Sequence, residues 1–292
     1  MTDVQHLIIE SAIWYSIGIV LVGLRLGGQA RRYGIQGLKP EDYGMILATL
    51  FYTLFIVNNV ATAVCFSVGV DSTEGLSQLV DNSSDLYVQG SKFALIAEQG
   101  TINTLYLVKG CMMVLYHRIT EGRRAQIAAK ILSGYTLLGW VVNQFAYFFM
   151  TCQPFSGNWA PDPPSDQCVS WQNYLILQAA FNISGDCAML VFPIRLFVQT
   201  SYPLKQKIYL CSISCAIVNK ININGTAWQF WNVRQASTAI YVANIPILAS
   251  MVRNFVDKRM AKRIQQSNYK VESGLPSGVV ADVKIYDRII TS

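Results

Sequence analysis

Long apolar runs separated by short polar segments constrain this chain more than any other feature of its sequence. Of its 292 residues, 52% are apolar and 14% are charged, and the mean hydropathy is +0.31. Soluble globular domains carry roughly a quarter charged residues, so these runs suit a bilayer better than water. A helix of about 20 apolar residues crosses a hydrocarbon core of about 30 Å. The sequence therefore predicts an all-α membrane protein.

Seven runs fit helices that cross the membrane, and one of them is short. They are predicted near residues 7–27, 44–69, 93–117, 127–150, 172–198, 207–223 and 229–252. In the sixth, only residues 208–219 lie between Lys207 and Lys220, which as a helix spans roughly 18 Å. We predict a seven-transmembrane helix bundle with a short or truncated sixth span. The membrane domain covers residues 1–255, and residues 256–292 form a flexible basic and polar tail.

Loop charges predict the orientation, because Lys and Arg concentrate in the short loops on the cytosolic side of a membrane. Here they cluster in loops one, three and five and in the tail: Arg25, Arg31, Arg32, Lys39, Arg118, Arg123, Arg124, Lys130, Arg195, Lys205, Lys207, Arg253, Lys258, Arg259, Lys262 and Arg263. The other segments carry mainly acidic residues. This pattern predicts an outside amino terminus and a cytosolic carboxyl terminus. Without the sixth crossing the basic tail would lie outside, so the pattern favours counting it.

Two cysteines flank a loop predicted to face the outside, where thiols oxidise. A disulfide between Cys152 and Cys168 would stabilise the fold by about 3 kcal/mol. The alternatives are that both thiols stay free, or that one pairs with Cys65 near the outer end of the second span. These alternatives remain open from the sequence alone.

Three glycosylation sequons test the same topology. Asn82 and Asn224 lie in predicted outside loops and are expected to be glycosylated. Asn182 lies inside a predicted span and is expected to stay unmodified.

Enzymatic and metal-binding motifs are missing from the sequence. His6 and His117 are its two histidines, and there is no Gly-x-Ser-x-Gly, phosphate loop or dinucleotide fingerprint. We therefore expect no enzymatic activity, no metal site and no cofactor. The basic loops suit an anionic inner leaflet rather than nucleic acid, so we expect no nucleic-acid partner.

Four charged residues lie five or more residues inside the ends of the predicted spans, where charges need partners or water. Counting from the span ends places Glu98 level with Arg234 and Lys109 level with Asp186, so we predict these two ion pairs. In one interpretation the pairs only fix helix register. In the other interpretation, a polar cavity opens to the outside, and Glu98, Arg234 and Trp231 contact a ligand in it. The deeper pair, Lys109 with Asp186, then holds the helices in one conformation.

Several short motifs resemble the fungal seven-transmembrane family of rhodopsin-domain integral membrane proteins. The matching segments are Gly90–Phe93, Lys109 with Tyr116–Arg118, Cys152–Pro154 with Trp159 and Cys168, Asp186 with Pro193 and Ile194, Pro203–Lys207, Ala216–Lys220 and Trp228–Pro246. The resemblance covers most of residues 10–255 and implies a seven-helix fold and a receptor-like role at the cell surface. Two features depart from it: Gln235 replaces a common glutamate, and fewer residues separate Lys207 from Lys220.

The family name does not imply light sensing in this chain. Retinal binding needs a lysine in the last span to form a Schiff base, and between Trp228 and Val252 the only basic residue is Arg234. We expect no retinal.

The expected function is that of a receptor-like sensor in the plasma membrane that responds to an extracellular small-molecule or lipidic cue. Its expected partners are the lipid bilayer, an unidentified small ligand and a cytosolic signalling protein that the basic loops contact. Two alternatives remain: a transporter or transport accessory protein, because paired intramembrane charges also mark proton or substrate pathways, and a structural membrane scaffold.

Overall fold

The fold is a bundle of long helices, as given by a computed structural model that describes residues 2–34, 37, 39–73, 80–120, 123–161, 164–197 and 227–274. Its elements are α1 (Thr2–Tyr33), α2 (Pro40–Thr73), α3 (Val80–Ile119), α4 (Arg123–Met150), a 3-10 helix (Phe155–Trp159), α5 (Asp166–Ser170), α6 (Gln172–Phe197) and α7 (Ala227–Gly274). These ranges contain no β-strand, which confirms the predicted all-α fold. The chain divides into two compact units, Met1–Asn244 and Ile245–Ser292.

Four of the described helices are long and apolar enough to cross a membrane. They lie at Val4–Arg32, Pro40–Ser67, Ala125–Met150 and Gln229–Ala261, where the first, second, fourth and seventh spans are predicted. The predicted third and fifth spans coincide with α3 and α6, which are not among these four. The predicted sixth span, 207–223, lies outside the described residues. The count of seven crossings therefore stays a prediction.

The connection from α1 to α2 sets the ends of both helices. The N–H of Gly34 donates to the Ala30 carbonyl at 2.9 Å, and Gly34 has φ +76°, the left-handed conformation that often ends a helix. Pro40 occupies the first position of α2, where its missing N–H costs nothing. Asp42 then reaches back and accepts the N–H of Lys39 at 3.2 Å, as an acidic residue does in a capping box. This geometry fixes the first turn of α2.

The first unit has two buried apolar clusters that share α3. One lies between α1, α2, α3 and α7 and includes Tyr52, Phe55 and Ile240. The other joins α3, α4 and α6, and in it the rings of Tyr147 and Tyr174 meet edge to face with centroids 6.0 Å apart. Helix α3 therefore lies at the centre of the unit. Long-range contacts are most extensive between α2 and α3.

A disulfide closes the connection between α4 and α6. Cys152 and Cys168 form this bond, with Cα atoms 4.6 Å apart, while Cys65 is a free thiol. Of the alternatives left open by the sequence, the structure therefore contains the bridge between Cys152 and Cys168. The Lys92 ammonium lies 5.9 Å from the Trp159 ring of the same connection, which joins it to the start of α3. We call this the disulfide end of the bundle, and the opposite end, where α1 and α3 finish and α2 and α4 begin, the basic end.

The three sequons fall in different settings. Asn82 lies in the first turn of α3, and Asn224 lies outside the described residues. Asn182 is buried within α6, a position that a glycosylating enzyme could not reach in the folded protein. In the second unit, α7 continues as far as Gly274, so the first part of the predicted flexible tail is helical.

Gly100 is predicted to be essential for the close packing of α3 on α2. A Cβ atom at this position would lie 2.9 Å from the backbone of Phe55, whereas a Cβ at Gly110 in the same helix would meet nothing within 4 Å. Both changes to alanine gain the same helix propensity, so their difference isolates the clash. Gly100→Ala should be less stable than Gly110→Ala by about 1–3 kcal/mol, measured by thermal unfolding in nanodiscs. Equal unfolding temperatures would contradict this packing.

Candidate functional site

An ion pair on the surface joins α1 to α7 near the disulfide end. Arg234 donates from Nε to Glu10 Oε1 at 2.6 Å and from Nη2 to Oε2 at 3.1 Å. The side chains are 45% and 26% exposed, so a molecule at the surface can reach both. Trp14 Nε1 donates to the same carboxylate at 3.3 Å, and the Trp231 ring lies 5.8 Å from the Arg234 guanidinium. The pair is thus a charged surface site beside two indole rings.

An open groove of about 340 Å³ runs along α1 beside this pair. It is lined by His6, Ile9, Glu10, Ile13, Trp14 and Ile17. The groove therefore combines an apolar wall, formed largely by isoleucine side chains, with one carboxylate at its edge. Such a surface can take a molecule with an apolar body and a polar head.

The predicted pair between Glu98 and Arg234 is wrong. Arg234 binds Glu10, while the buried Glu98 Oε1 accepts the Tyr174 hydroxyl at 2.9 Å and Gln178 Nε2 at 2.6 Å, both from α6. The prediction used depth along the helix and not direction around it. Ala97, next to Glu98, lies in the cluster shared with α7, so Glu98 points away from α7 and towards α6.

The deeper charged residues lie together between α3 and α6. Lys109 Nζ lies 3.1 Å from Asp186 Oδ1 and also donates to the side chain of Asn182 at 3.1 Å and to its carbonyl at 3.3 Å. The three N–H groups of the ammonium thus have three acceptors. The neighbouring cleft, lined by Tyr106, Tyr135, Thr136, Gly139, Phe181 and Gly185, is too narrow to admit a water molecule. This arrangement fixes α3 against α6 and leaves the amine no open space in which to meet a ligand.

The basic end contains a buried ionic network that the sequence interpretation missed. Arg25 Nε donates to Asp42 Oδ1 at 3.0 Å, and these side chains are 1% and 0% exposed. Arg25 also donates to the Glu41 carbonyl at 3.3 Å and to Asn244 Oδ1 at 3.4 Å. One guanidinium therefore connects α1, α2 and α7.

The neighbouring acid, Glu41, extends this network to α3, and α3 makes a separate contact with α4. Arg118 binds the buried Glu41 carboxylate with both terminal nitrogens, one of them at 2.8 Å. His117 Nε2 lies 3.0 Å from Ser133 Oγ on α4. Arg25 and Arg118 look like ordinary positive loop residues in the sequence. The available signal was Glu41 and Asp42, an acidic pair within an otherwise basic loop.

Contacts between α1 and α7 recur from the surface pair to the basic end. Below Glu10 and Arg234, the rings of Trp14 and Tyr241 stack with centroids 5.6 Å apart, and the Tyr241 hydroxyl donates to the Trp14 carbonyl at 2.5 Å. Arg25 and Asn244 make the last contact. We call these three pairs the α1–α7 seam. It is exposed at one end and buried at the other.

Within the described ranges, no three His, Cys, Asp or Glu side chains are grouped so that they could hold a metal ion. Arg234 remains the only basic residue of the predicted last span, and a guanidinium does not form the Schiff base that retinal requires. The expectation that the protein has no cofactor stays a prediction.

Removing one partner of the Lys109–Asp186 pair should have unequal effects, because Lys109 is 7% exposed and Asp186 is 39% exposed. Asp186→Asn leaves a buried cation unpaired and should lower the free energy of unfolding by about 3–5 kcal/mol. Lys109→Met should cost less, and the double variant should recover much of the loss. Chemical unfolding in mixed micelles measures all three. A larger loss for Lys109→Met than for Asp186→Asn would contradict this assignment.

A comparison with protein-family models identifies the chain. The model described as "Fungal rhodopsin domain" matches residues 28–223, well over half of the 292 residues, and confirms the resemblance carried by the sequence motifs. Searches of curated proteins and of solved structures returned no significant match. With its apolar helices, the matched domain makes this a membrane protein. The chain belongs to the fungal rhodopsin domain family.

Proposed function

We propose that this protein is a receptor-like sensor in the plasma membrane, with its amino terminus outside and its carboxyl terminus in the cytosol. The observation that carries the proposal is the α1–α7 seam, which begins at a surface ion pair and ends in the buried network of the basic end. A cue that separates Glu10 from Arg234 would act on the two helices that also meet at Arg25. The basic loops at that end would contact a cytosolic signalling partner.

The surface pair has the chemistry to exchange one carboxylate for another. The Arg234 guanidinium already holds Glu10 through two hydrogen bonds, and the same planar donor fork fits the carboxylate or phosphate of a ligand. Exposed ion pairs contribute at most about 1 kcal/mol, so a ligand can displace Glu10 at little cost. The apolar groove along α1 would hold the body of a small or lipidic cue, and Trp231 would pack beside its head.

A change at the surface pair would reach the basic end because the helices are stiff. Glu10 and Arg25 are fifteen residues apart on α1, which corresponds to about 22 Å along the helix axis. Displacing the start of α1 would tilt the helix and strain the contacts that Arg25 makes with Asp42 and Asn244. Packed interfaces respond to such strain by switching between discrete arrangements. The Arg118 side chain, which is partly exposed beside Glu41, would change its position when the contacts of Arg25 rearrange.

The other interpretations have less support from the described residues. A transporter needs a polar path past Lys109 and Asp186, and the Lys109 side chain is 7% exposed and its amine is already bound by Asp186 and Asn182. A scaffold would use the charged residues only for packing, yet Glu10 and Arg234 are partly exposed. We propose no enzymatic activity, because the charged residues of the Glu10–Arg234 and Lys109–Asp186 pairs are engaged in contacts between helices.

The proposal predicts that opening the surface pair changes the basic end. Spin labels at Gly27 on α1 and Gly110 on α3 suit this test, since a Cβ atom at either position would meet nothing within 4 Å. In nanodiscs, Glu10→Gln should shift the distance between the labels by about 2 Å or more. Alternatively, a second distance that differs from the first by that amount should appear. The double variant Glu10→Arg with Arg234→Glu should restore the original distribution. Pulsed electron paramagnetic resonance reads the distances.

The matched control is Asp85→Asn, which neutralises an exposed carboxylate on α3 at the disulfide end. It should leave the distance unchanged. If Glu10→Gln also leaves the distance unchanged, or if Asp85→Asn produces the same shift, the coupling is absent and the scaffold interpretation is preferred.

A further inference from the structure

The second unit carries a segment in which charge and apolar surface alternate along one helix. Residues 252–263, which we call the basic stem, contain five basic residues and one acidic residue, Asp257. The basic residues are Arg253, Lys258, Arg259, Lys262 and Arg263. We propose that the basic stem binds the anionic lipid headgroups of the leaflet from which α7 emerges. This inference does not depend on the sensor proposal.

Large apolar side chains of the stem are exposed together with its arginines. Val252, Phe255, Val256 and Met260 are all exposed, and so are Arg253, Arg259 and Arg263. Water is an unfavourable environment for the apolar side chains, and hydrocarbon is an unfavourable environment for the arginines. The boundary between acyl chains and headgroups suits both, because there apolar groups can face inward and guanidinium groups can reach phosphates.

The contacts within the stem fit that boundary. The Arg259 guanidinium lies 4.4 Å from the centre of the Phe255 ring, so an aromatic body and a cationic tip act as one amphipathic unit. Arg263 follows Arg259 by four residues, which places both on the same side of the helix. Two planar guanidinium groups on one side can engage phosphate and carboxylate oxygens of anionic lipids through paired hydrogen bonds.

A lipid surface explains the apolar residues better than an acidic protein segment does. Within this unit exposed apolar side chains recur along the helix at Ile245, Val252, Phe255 and Met260. Residues 245–252 include only apolar and small side chains, as expected for a helix in contact with lipid. The stem repeats the exposed apolar side chains while adding positive charge, which attracts an anionic leaflet. An acidic protein segment would account for the charge and would leave the exposed apolar side chains unexplained.

The test measures which lipids accompany the full-length protein. The chain is reconstituted in vesicles with equal amounts of phosphatidylcholine and phosphatidylserine, extracted with its surrounding lipids in polymer nanodiscs, and analysed by mass spectrometry. We expect phosphatidylserine to be enriched over the bulk ratio at low salt and the enrichment to fall as salt rises. Arg259→Gln with Arg263→Gln should reduce the apparent binding constant for phosphatidylserine about thirtyfold, as expected for two basic residues near a charged lipid surface.

Two further variants separate the possible results. Lys284→Gln with Arg288→Gln removes the same charge from a segment beyond the stem and should leave the enrichment unchanged. Phe255→Ser should weaken it, since the apolar body is part of the proposed contact. Equal enrichment in the stem and control variants would overturn the proposal. Loss with the arginines but not with Phe255→Ser would overturn the role given to the apolar side chains, because charge alone would then hold the headgroups.

Discussion

The organisation of the first unit depends on two adjacent buried carboxylates at the start of α2. Asp42 holds Arg25 of α1, Glu41 holds Arg118 of α3, and Arg25 reaches Asn244 of α7. The amino end of a helix stabilises negative charge, so Pro40, which sets that end, also sets the place for both acids. A buried charge without its partner is strongly destabilising. The helices that share these acids are therefore favoured in one relative arrangement.

The remaining polar contacts of the bundle have two different characters. Glu98 with Tyr174 and Gln178, and Lys109 with Asp186, connect α3 to α6, and in each of these contacts the charged group on α3 is buried. Glu10 with Arg234 is open to the surface and connects α1 to α7. An enclosed pair resists change, whereas an exposed one is easily exchanged for a ligand group. This contrast is why the sensor proposal rests on α1 and α7 rather than on the deeper residues that first attract attention in the sequence.

How much could be predicted from the sequence depended on what each pattern encodes. Apolar run lengths encode helices, so the all-α fold and the places of α1, α2, α4 and α7 were predictable. Depth along a span can be counted, which placed Lys109 level with Asp186. Direction around a helix could not be counted, because it depends on which neighbours pack where, and so Arg234 was given the wrong partner. The pairing of Arg25 with Asp42 also escaped prediction, because positive residues at helix ends usually indicate only orientation.

The proposed receptor-like bundle has its α1–α7 seam starting outside the cell and ending in the cytosol, and glycan mapping with a carboxyl-terminal tag measures this orientation. We expect Asn82→Gln and Asn224→Gln each to remove one glycan from the full-length chain. The double variant should carry none, because Asn182 lies within α6, where a span is predicted, and the tag should resist protease added to intact cells. An unmodified Asn224 with a protease-accessible tag would contradict the proposed orientation, since the basic end would then not lie on the side of a cytosolic partner.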